Sequence, residues 1–354
     1  MRPEREAAMS DGIVAFEPVA AQQESCPPME EPRPRGWVAW TETPIIGLLL
    51  ILIALFLVFS LTAPTFLTFR NMAILAGSIS MIGIVAAAMT LVIIGGNLDL
   101  SVAATIALTS MVVANLLVGL QWGELASVGA GILVGLIVGV LNGLLVARLG
   151  INSVIATLAT YSIARWGAYL LGTKGRSIPL GYAEERPFFD SIGQGNLFGV
   201  PVPFLIMVVI LTAIWFFLAH TRFGREFLAV GGNPLAALLT GISVRRYTFF
   251  AFTLTGLCSG ICGVIFASRL AGGYPGGAMG WELDIITAVF LGGTSLTGGQ
   301  GSILGTFLGV VIIGTLRNGM ALLGIDITAQ NIATGSVLLL AMLYDRLRRG
   351  GAEL

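Results

Sequence analysis

The sequence predicts an all-α polytopic membrane protein of about ten transmembrane helices in two inverted five-helix repeats. Three observations carry this. Of 354 residues, 56% are apolar and 11% charged, with a mean hydropathy of +0.91, values that exclude a string of soluble domains. Apolar runs of about twenty residues recur along the chain, each long enough at about 1.5 Å per residue to cross a ~30 Å hydrocarbon core. Finally, the arginine clusters fall at matching parity between these runs, as the positive-inside rule requires.

Taken in order, residues 1–40 hold seven acidic residues, four arginines and Pro27, Pro28, Pro32 and Pro34, with no apolar run. That composition predicts a disordered cytoplasmic tail and lacks the apolar core of a signal peptide. The transmembrane region is expected over 41–345, with repeat one at about 44–171, repeat two at about 202–344, and a short cytoplasmic tail at 346–354. The first span runs from Pro44 to Thr62 without a charge. Further spans are expected at roughly 72–95, 98–119, 125–147, 151–171, 202–219, 247–268, 284–297, 301–316 and 328–344.

Arg33 and Arg35, then Arg222, Arg225, Arg245 and Arg246, then Arg346, Arg348 and Arg349 agree only if all three groups are cytoplasmic, with both termini inside. Arg148 then falls inside. The loop from Gly172 to Pro201, where Lys174, Arg176 and Arg186 are balanced by Glu184, Glu185 and Asp190, falls outside. Arg70, Arg269 and Arg317 are exceptions, each beside an external loop. The eighth span is short, because Ile285 to Leu291 runs straight into Gly292, Gly293, Thr294, Ser295 and a Gly-rich stretch ending at Gly301. Irregular backbone at that depth is tolerated only against protein or a water-filled cavity, which makes the stretch a pathway candidate.

The stretch from Thr221 to Ile242 is a long polar interruption with basic residues at both borders. Asn233 followed by Pro234 is a helix start, and Gly241 a stop. Between them Leu235, Leu238, Leu239 and Ile242 recur at helical spacing, giving a short amphipathic helix that needs a partner. It is either a connector resting on lipid headgroups or a docking helix for a cytoplasmic subunit.

The repeat lies in short likenesses. Asn97-Leu98-Asp99-Leu100-Ser101 matches Trp281-Glu282-Leu283-Asp284-Ile285, and Leu141-Asn142-Gly143 matches the region of Asn318-Gly319. Five spans per half force the halves to insert upside down relative to each other. Asp99 and Asp284 are expected to cap helix N-termini, with direct solute contact as the alternative.

What is missing narrows function. Lys174 is the sole lysine and is followed by Gly175, so no Walker A loop exists. His220 is the single histidine, at a membrane border; Cys26, Cys258 and Cys262 suit neither a disulfide nor a metal site, and no enzyme motif is present. Arg165 is the one mid-span charge and is expected to snorkel outward, which disfavours ion coupling. A formal net charge of zero gives no reason to expect nucleic acid.

Four stretches together resemble a known family. They are Gly95-Gly96-Asn97-Leu98-Asp99-Leu100-Ser101; Asn142 to Asn152; Gly224-Arg225 through Gly232-Asn233-Pro234-Leu235-Ala236-Ala237-Leu238-Leu239 to Gly241-Ile242; and Glu282-Leu283-Asp284 with Gly292-Gly293-Thr294-Ser295. Across about residues 45–345 the chain resembles permease subunits of ribose-type sugar ABC importers, a pattern shared in part by nucleoside and autoinducer permeases. The resemblance implies the importer-permease fold in the bacterial inner membrane and a homodimer. It also implies a cytoplasmic ATP-binding subunit that carries the ATP, so that this chain holds no cofactor, and an extracytoplasmic binding protein that delivers a sugar or polyol. The third stretch then corresponds to the ATPase-coupling loop. A self-contained secondary transporter or channel for a small neutral solute is the alternative.

Overall fold

A computed structural model describes residues 44–172, 175–181, 186–295 and 297–350. The N-terminal 1–40 segment with Cys26, Arg33 and Arg35, and also Lys174, Glu184 and Glu185, lie outside the described residues.

The helices are α1 (Pro44–Thr62), α2 (Phe69–Ile94), α3 (Val102–Ala114), α4 (Glu124–Gly143), α5 (Ser153–Leu171), α6 (Pro187–Gln194) and α7 (Val202–His220). They continue with α8 (Arg222–Gly232), α9 (Pro234–Leu239), α10 (Val244–Arg269), α11 (Trp281–Leu291), α12 (Ile303–Leu322) and α13 (Ile327–Gly350). A π-helical turn prolongs α3 over Asn115–Gly119, and another prolongs α4 over Leu144–Arg148. Among the described residues seven helices, α1, α2, α3, α4, α7, α10 and α12, are long and apolar enough to cross a membrane. Of the other three predicted spans, α11 has only 11 residues, α5 contains Arg165, and the apolar stretch of α13 covers only Ile327–Leu343. The last helix continues past residue 345 to Gly350, where the sequence reading placed a tail.

The bundle is organised around α2, in which every residue from Ile79 to Ile94 is buried. A helix apolar on all sides belongs in the interior, whereas α1 turns most of its apolar side chains outward. Across the middle of the bundle α4 meets α10 at backbone distance. A Cβ on Gly135 would stand 2.5 Å from the Gly260 Cα, and one on Gly139 would stand 2.8 Å from the Gly256 Cα. Small residues every fourth position permit this approach, which replaces side-chain interdigitation with backbone packing.

Between α2 and α3 the chain leaves helical geometry, and α5 satisfies it: Leu98 N–H donates to Ser153 Oγ at 3.3 Å and Leu100 N–H to Thr157 Oγ1 at 3.2 Å. At the opposite end of the bundle β1 (Ile178–Pro179) pairs antiparallel with β4 (Gly272–Gly273), while β2 (Asn196–Leu197) and β3 (Val200–Pro201) form a hairpin leading into α7. Within the described part of the Gly172–Pro201 loop α6 packs onto the end of α10, with Gly193 N–H donating to Ser268 Oγ at 3.0 Å.

Arg165 does not snorkel. It is buried and donates from Nη1 to the carbonyls of Pro275 (2.9 Å) and Gly277 (2.8 Å), with the Tyr161 ring 5.3 Å from its guanidinium carbon. Carbonyls of the loop before α11 thus hold Nη1 within the protein, while the buried Nε and Nη2 have no partner among the described residues.

Candidate functional site

The α8–α9 segment forms the first half of the site. Thr221 caps α8, its hydroxyl accepting from Gly224 N–H at 3.0 Å, and Gly224 itself packs against the Phe217 carbonyl, where a Cβ would stand 2.5 Å away. Helix α8 is anchored by aromatics: the Phe223 ring lies 4.3 Å from that of Tyr247 and 5.1 Å from that of Phe250, and Phe227 is fully buried. Arg225 stays exposed. Asn233 caps α9 by accepting from Ala236 N–H at 2.9 Å, with Pro234 at the first helical position. The stop is Gly241 at φ +85°, with open space around it, so the backbone conformation and not a close neighbour calls for glycine.

Of the apolar stripe predicted here, Leu235, Leu238 and Leu239 point away from the bundle, whereas Ile242 is half-buried and packs against its core. Leu235, Leu238 and Leu239 are 67%, 59% and 81% exposed, while Ala237 at 4% is the residue turned inward. One alanine seats the helix, and the three leucines are left exposed by the described residues. A short rigid element thus presents an apolar surface on a well-anchored base.

Glu226, which the sequence reading passed over, ties α8 to α10: Tyr247 Oη donates to Oε2, and Arg222 Nε donates to Oε1 at 2.8 Å. The Tyr247 hydroxyl first, and Arg222 second, hold the Glu226 carboxyl below its ordinary value of 4.5. A lowered folded-state value means that the contribution is present above the ordinary value and is lost as pH falls through the lowered one. Tyr247→Phe should therefore lower the melting temperature at neutral pH and flatten the acid limb of a melting-temperature-against-pH profile, the difference from the parent chain closing as the pH falls below about 4.5. An acid limb identical to that of the parent chain would remove this contact from the account.

The second half of the site is a pair of polar clusters beside the two interrupted stretches. Neither aspartate caps a helix as predicted. Helix α3 starts beyond Ser101, and Asp99, fully buried, instead accepts from Ser101 N–H at 2.9 Å and Ser101 Oγ at 2.6 Å; Asn142 Nδ2 donates to Ser101 Oγ at 2.8 Å. Asp284 sits inside the first turn of α11, where Gly280 is the cap, and its Oδ1 accepts from Arg317 Nη2 at 2.7 Å. Arg317 also donates to Asn331 Oδ1 at 2.9 Å. Asn142 Oδ1, Asp284 Oδ2, Arg317 Nε and the Oε2 of half-buried Glu282 have no hydrogen-bond partner among the described residues. The motif-matched Asn318 belongs to neither cluster; it exchanges amide hydrogen bonds of 2.9 and 3.0 Å with Asn71.

The Gly-rich exit of α11 is partly packed and partly open. Gly292 lies against α12, where a Cβ would stand 2.5 Å from Thr306 N; Thr294 and Ser295 are buried, and Gly293, Thr297 and Gln300 are exposed. Gly95 and Gly96 end α2 close to this exit, and Gly299 N–H donates to the Ile94 carbonyl at 2.8 Å. The sequence reading missed this meeting of three segments. Nothing in the glycines themselves says which backbone each one faces.

The family described as "Branched-chain amino acid transport system / permease component" matches residues 71–344. The chain is 38% identical over 297 residues, 84% of it and 92% of the relative, to the protein named ribose import permease protein RbsC of Escherichia coli. It is 41% identical to the protein of the same name from Bacillus subtilis (86% and 92% covered). It is 40% identical to the L-arabinose ABC transporter permease protein AraH of Azospirillum brasilense (90% and 91% covered). No solved structure matches.

Proposed function

We propose, from the premise that this chain belongs to the branched-chain amino acid transport system permease component family, that it is the membrane subunit of a binding-protein-dependent ABC importer carrying a sugar or related polyol. The observation that carries the reading is the surface of α9. Leu235, Leu238 and Leu239 are exposed on a helix fixed at both ends, by the Asn233 cap and the Gly241 turn, which suits a groove on a separate ATPase better than a bed of lipid headgroups. The chain has no P-loop lysine, so ATP is bound and hydrolysed by that partner. The relatives named for ribose and L-arabinose support a pentose-type cargo. Such a neutral polyhydroxyl needs few strong sites in a conduit, and selection then rests with the binding protein.

The full architecture on this reading has ten membrane helices, with α1–α5 forming one half and α7 with α10–α13 the other. Its support is the packing: α2 lies against α12, and α10 against α4, so the second helix of each half packs on the fourth of the other. Two copies form the working dimer in the inner membrane, with both termini and α8–α9 in the cytoplasm. The clusters around Asp99, Ser101 and Asn142 and around Glu282 and Asp284, with Gly95, Gly96 and Gly292 to Ser295, are the pathway candidates.

Two measurements test this. In liposomes, uptake of ribose or arabinose should require this chain, the ATPase, ATP and the binding protein together; flux through this chain alone would assign it as a self-contained transporter or channel. Reporter fusions after residues 36, 232 and 349 should all read cytoplasm and one near residue 184 the outside. An outside signal at 232 would overturn the topology.

A further inference from the structure

Where α8 ends, three segments meet through backbone alone. A Cβ on Gly231 would collide with the Ile94 carbonyl and stand 2.7 Å from Gly299 N; one on Gly298 would stand 2.8 Å from the carbonyls of both Gly231 and Ile94. Gly299, at φ +75°, has room for no Cβ either, since one would lie 2.5 Å from the Gly232 Cα. The Gly299 N–H to Ile94 carbonyl hydrogen bond of 2.8 Å closes the junction. Side chains absorb displacement by changing rotamer, but a junction of peptide units has no such compliance.

Each segment leads somewhere that matters for transport. Helix α8 carries α9 and its three leucines. The Ile94 carbonyl ends α2, and the chain runs from it through Gly95 and Gly96 to the Asp99 cluster. Gly298 and Gly299 lie in the loop between α11 and α12, helices that are themselves in backbone contact, because Gly292 packs on Thr306 N and Gly309 on the Ala288 carbonyl. A displacement of α8 therefore pushes on both interrupted stretches at once.

We infer that the Gly231–Gly299–Ile94 junction is the transmission joint of the permease: Gly231, Gly232 and Gly299 are positioning residues that convert movement of the α8–α9 segment into movement of the α11–α12 loop and of the end of α2. The inference rests on α9 being the ATPase-docking element. Gly231 is buried in the joint whereas Leu235, Leu238 and Leu239 of α9 are exposed, so the role of the joint is separable from docking.

The test uses the full chain with its ATPase, Cys26 replaced by serine, and one reporter cysteine at exposed Gln300, modified with a water-soluble maleimide with and without ATP; Cys258 and Cys262 are buried and do not compete. The parent should show an ATP-dependent change in labelling rate. Gly231→Ala should lose that change and lose uptake while the ATPase still co-purifies. Should Gly231→Ala not reach the membrane, a series at Gly232 decides, because the nearest atom to a Cβ there is the Gly299 Cα at 4.0 Å. Gly232→Ala should keep the response, and Gly232→Val and Gly232→Phe should lose it progressively. A full ATP-dependent change in ATPase-bound Gly231→Ala or Gly232→Phe would overturn the joint. Failure of the ATPase to bind the parent chain would overturn the docking reading instead.

Discussion

Leu238→Glu is expected to strip the ATPase from the permease while leaving the permease folded in the membrane. Leu238 is 59% exposed and touches no core, so its replacement costs the bundle nothing, yet it stands between Leu235 and Leu239 in the face that a groove would bury. Burying one such side chain contributes roughly 1.5–3 kcal/mol. At about 1.4 kcal/mol per factor of ten, losing it costs about one to two orders of magnitude in affinity, and the buried carboxylate that replaces it adds to that loss. Gly241→Val should differ in kind. Space around Gly241 is open, so the valine would clash with nothing, but at φ +85° a β-branched residue is strained and the exit of α9 is re-aimed. Co-purification should persist there while substrate-stimulated ATP hydrolysis falls. If Leu238→Glu held its ATPase and transported normally, α9 would be a passive connector.

The contrast between these residues also shows what the sequence could reveal. Asn233, Pro234 and Gly241 act within a few residues of themselves, through a cap, a missing donor and a left-handed turn, so their roles are readable from the chain order. The direction of the leucine face was not, because periodicity locates a stripe without saying whether it meets this chain or another. The aspartates were misread for a related reason. Capping is the local use of a carboxylate near a helix start, but the partner of Asp284 is on α12 and becomes visible only once α11 and α12 are packed together. Arg317 looked like an exception to the charge rule beside an external loop, and it is instead the neutraliser of a buried charge. Arg165 likewise found its partners, the carbonyls of Pro275 and Gly277, in a loop far along the chain. The glycines of the α8 junction mark the limit: their composition announced close packing, while the identity of each facing backbone is a property of the fold.

Removing one member of the Asp284–Arg317 pair is expected to be among the most damaging single changes in the described residues. Asp284 is 1% exposed, and its partner lies 2.7 Å away on the neighbouring helix. Arg317→Met would leave a carboxylate in the protein interior with its countercharge gone, a loss of about 3–5 kcal/mol for a buried pair. Asp284→Leu strands the guanidinium instead, with Asn331 still accepting from it, and should cost less because Arg317 retains some access to water. The double variant Asp284→Leu, Arg317→Met should recover much of the lost stability, since two apolar side chains of similar bulk need no countercharge. The melting temperature of the purified chain in detergent measures the first part of this, and an unchanged value for Arg317→Met would sink it. Uptake by the double variant carries the functional half. Recovered stability with recovered uptake makes the pair a clamp between α11 and α12 and nothing more. Recovered stability without uptake means that the charges act on the solute or on the movement between states, a role consistent with the unpartnered Asp284 Oδ2 and Arg317 Nε that the pair leaves in the protein interior.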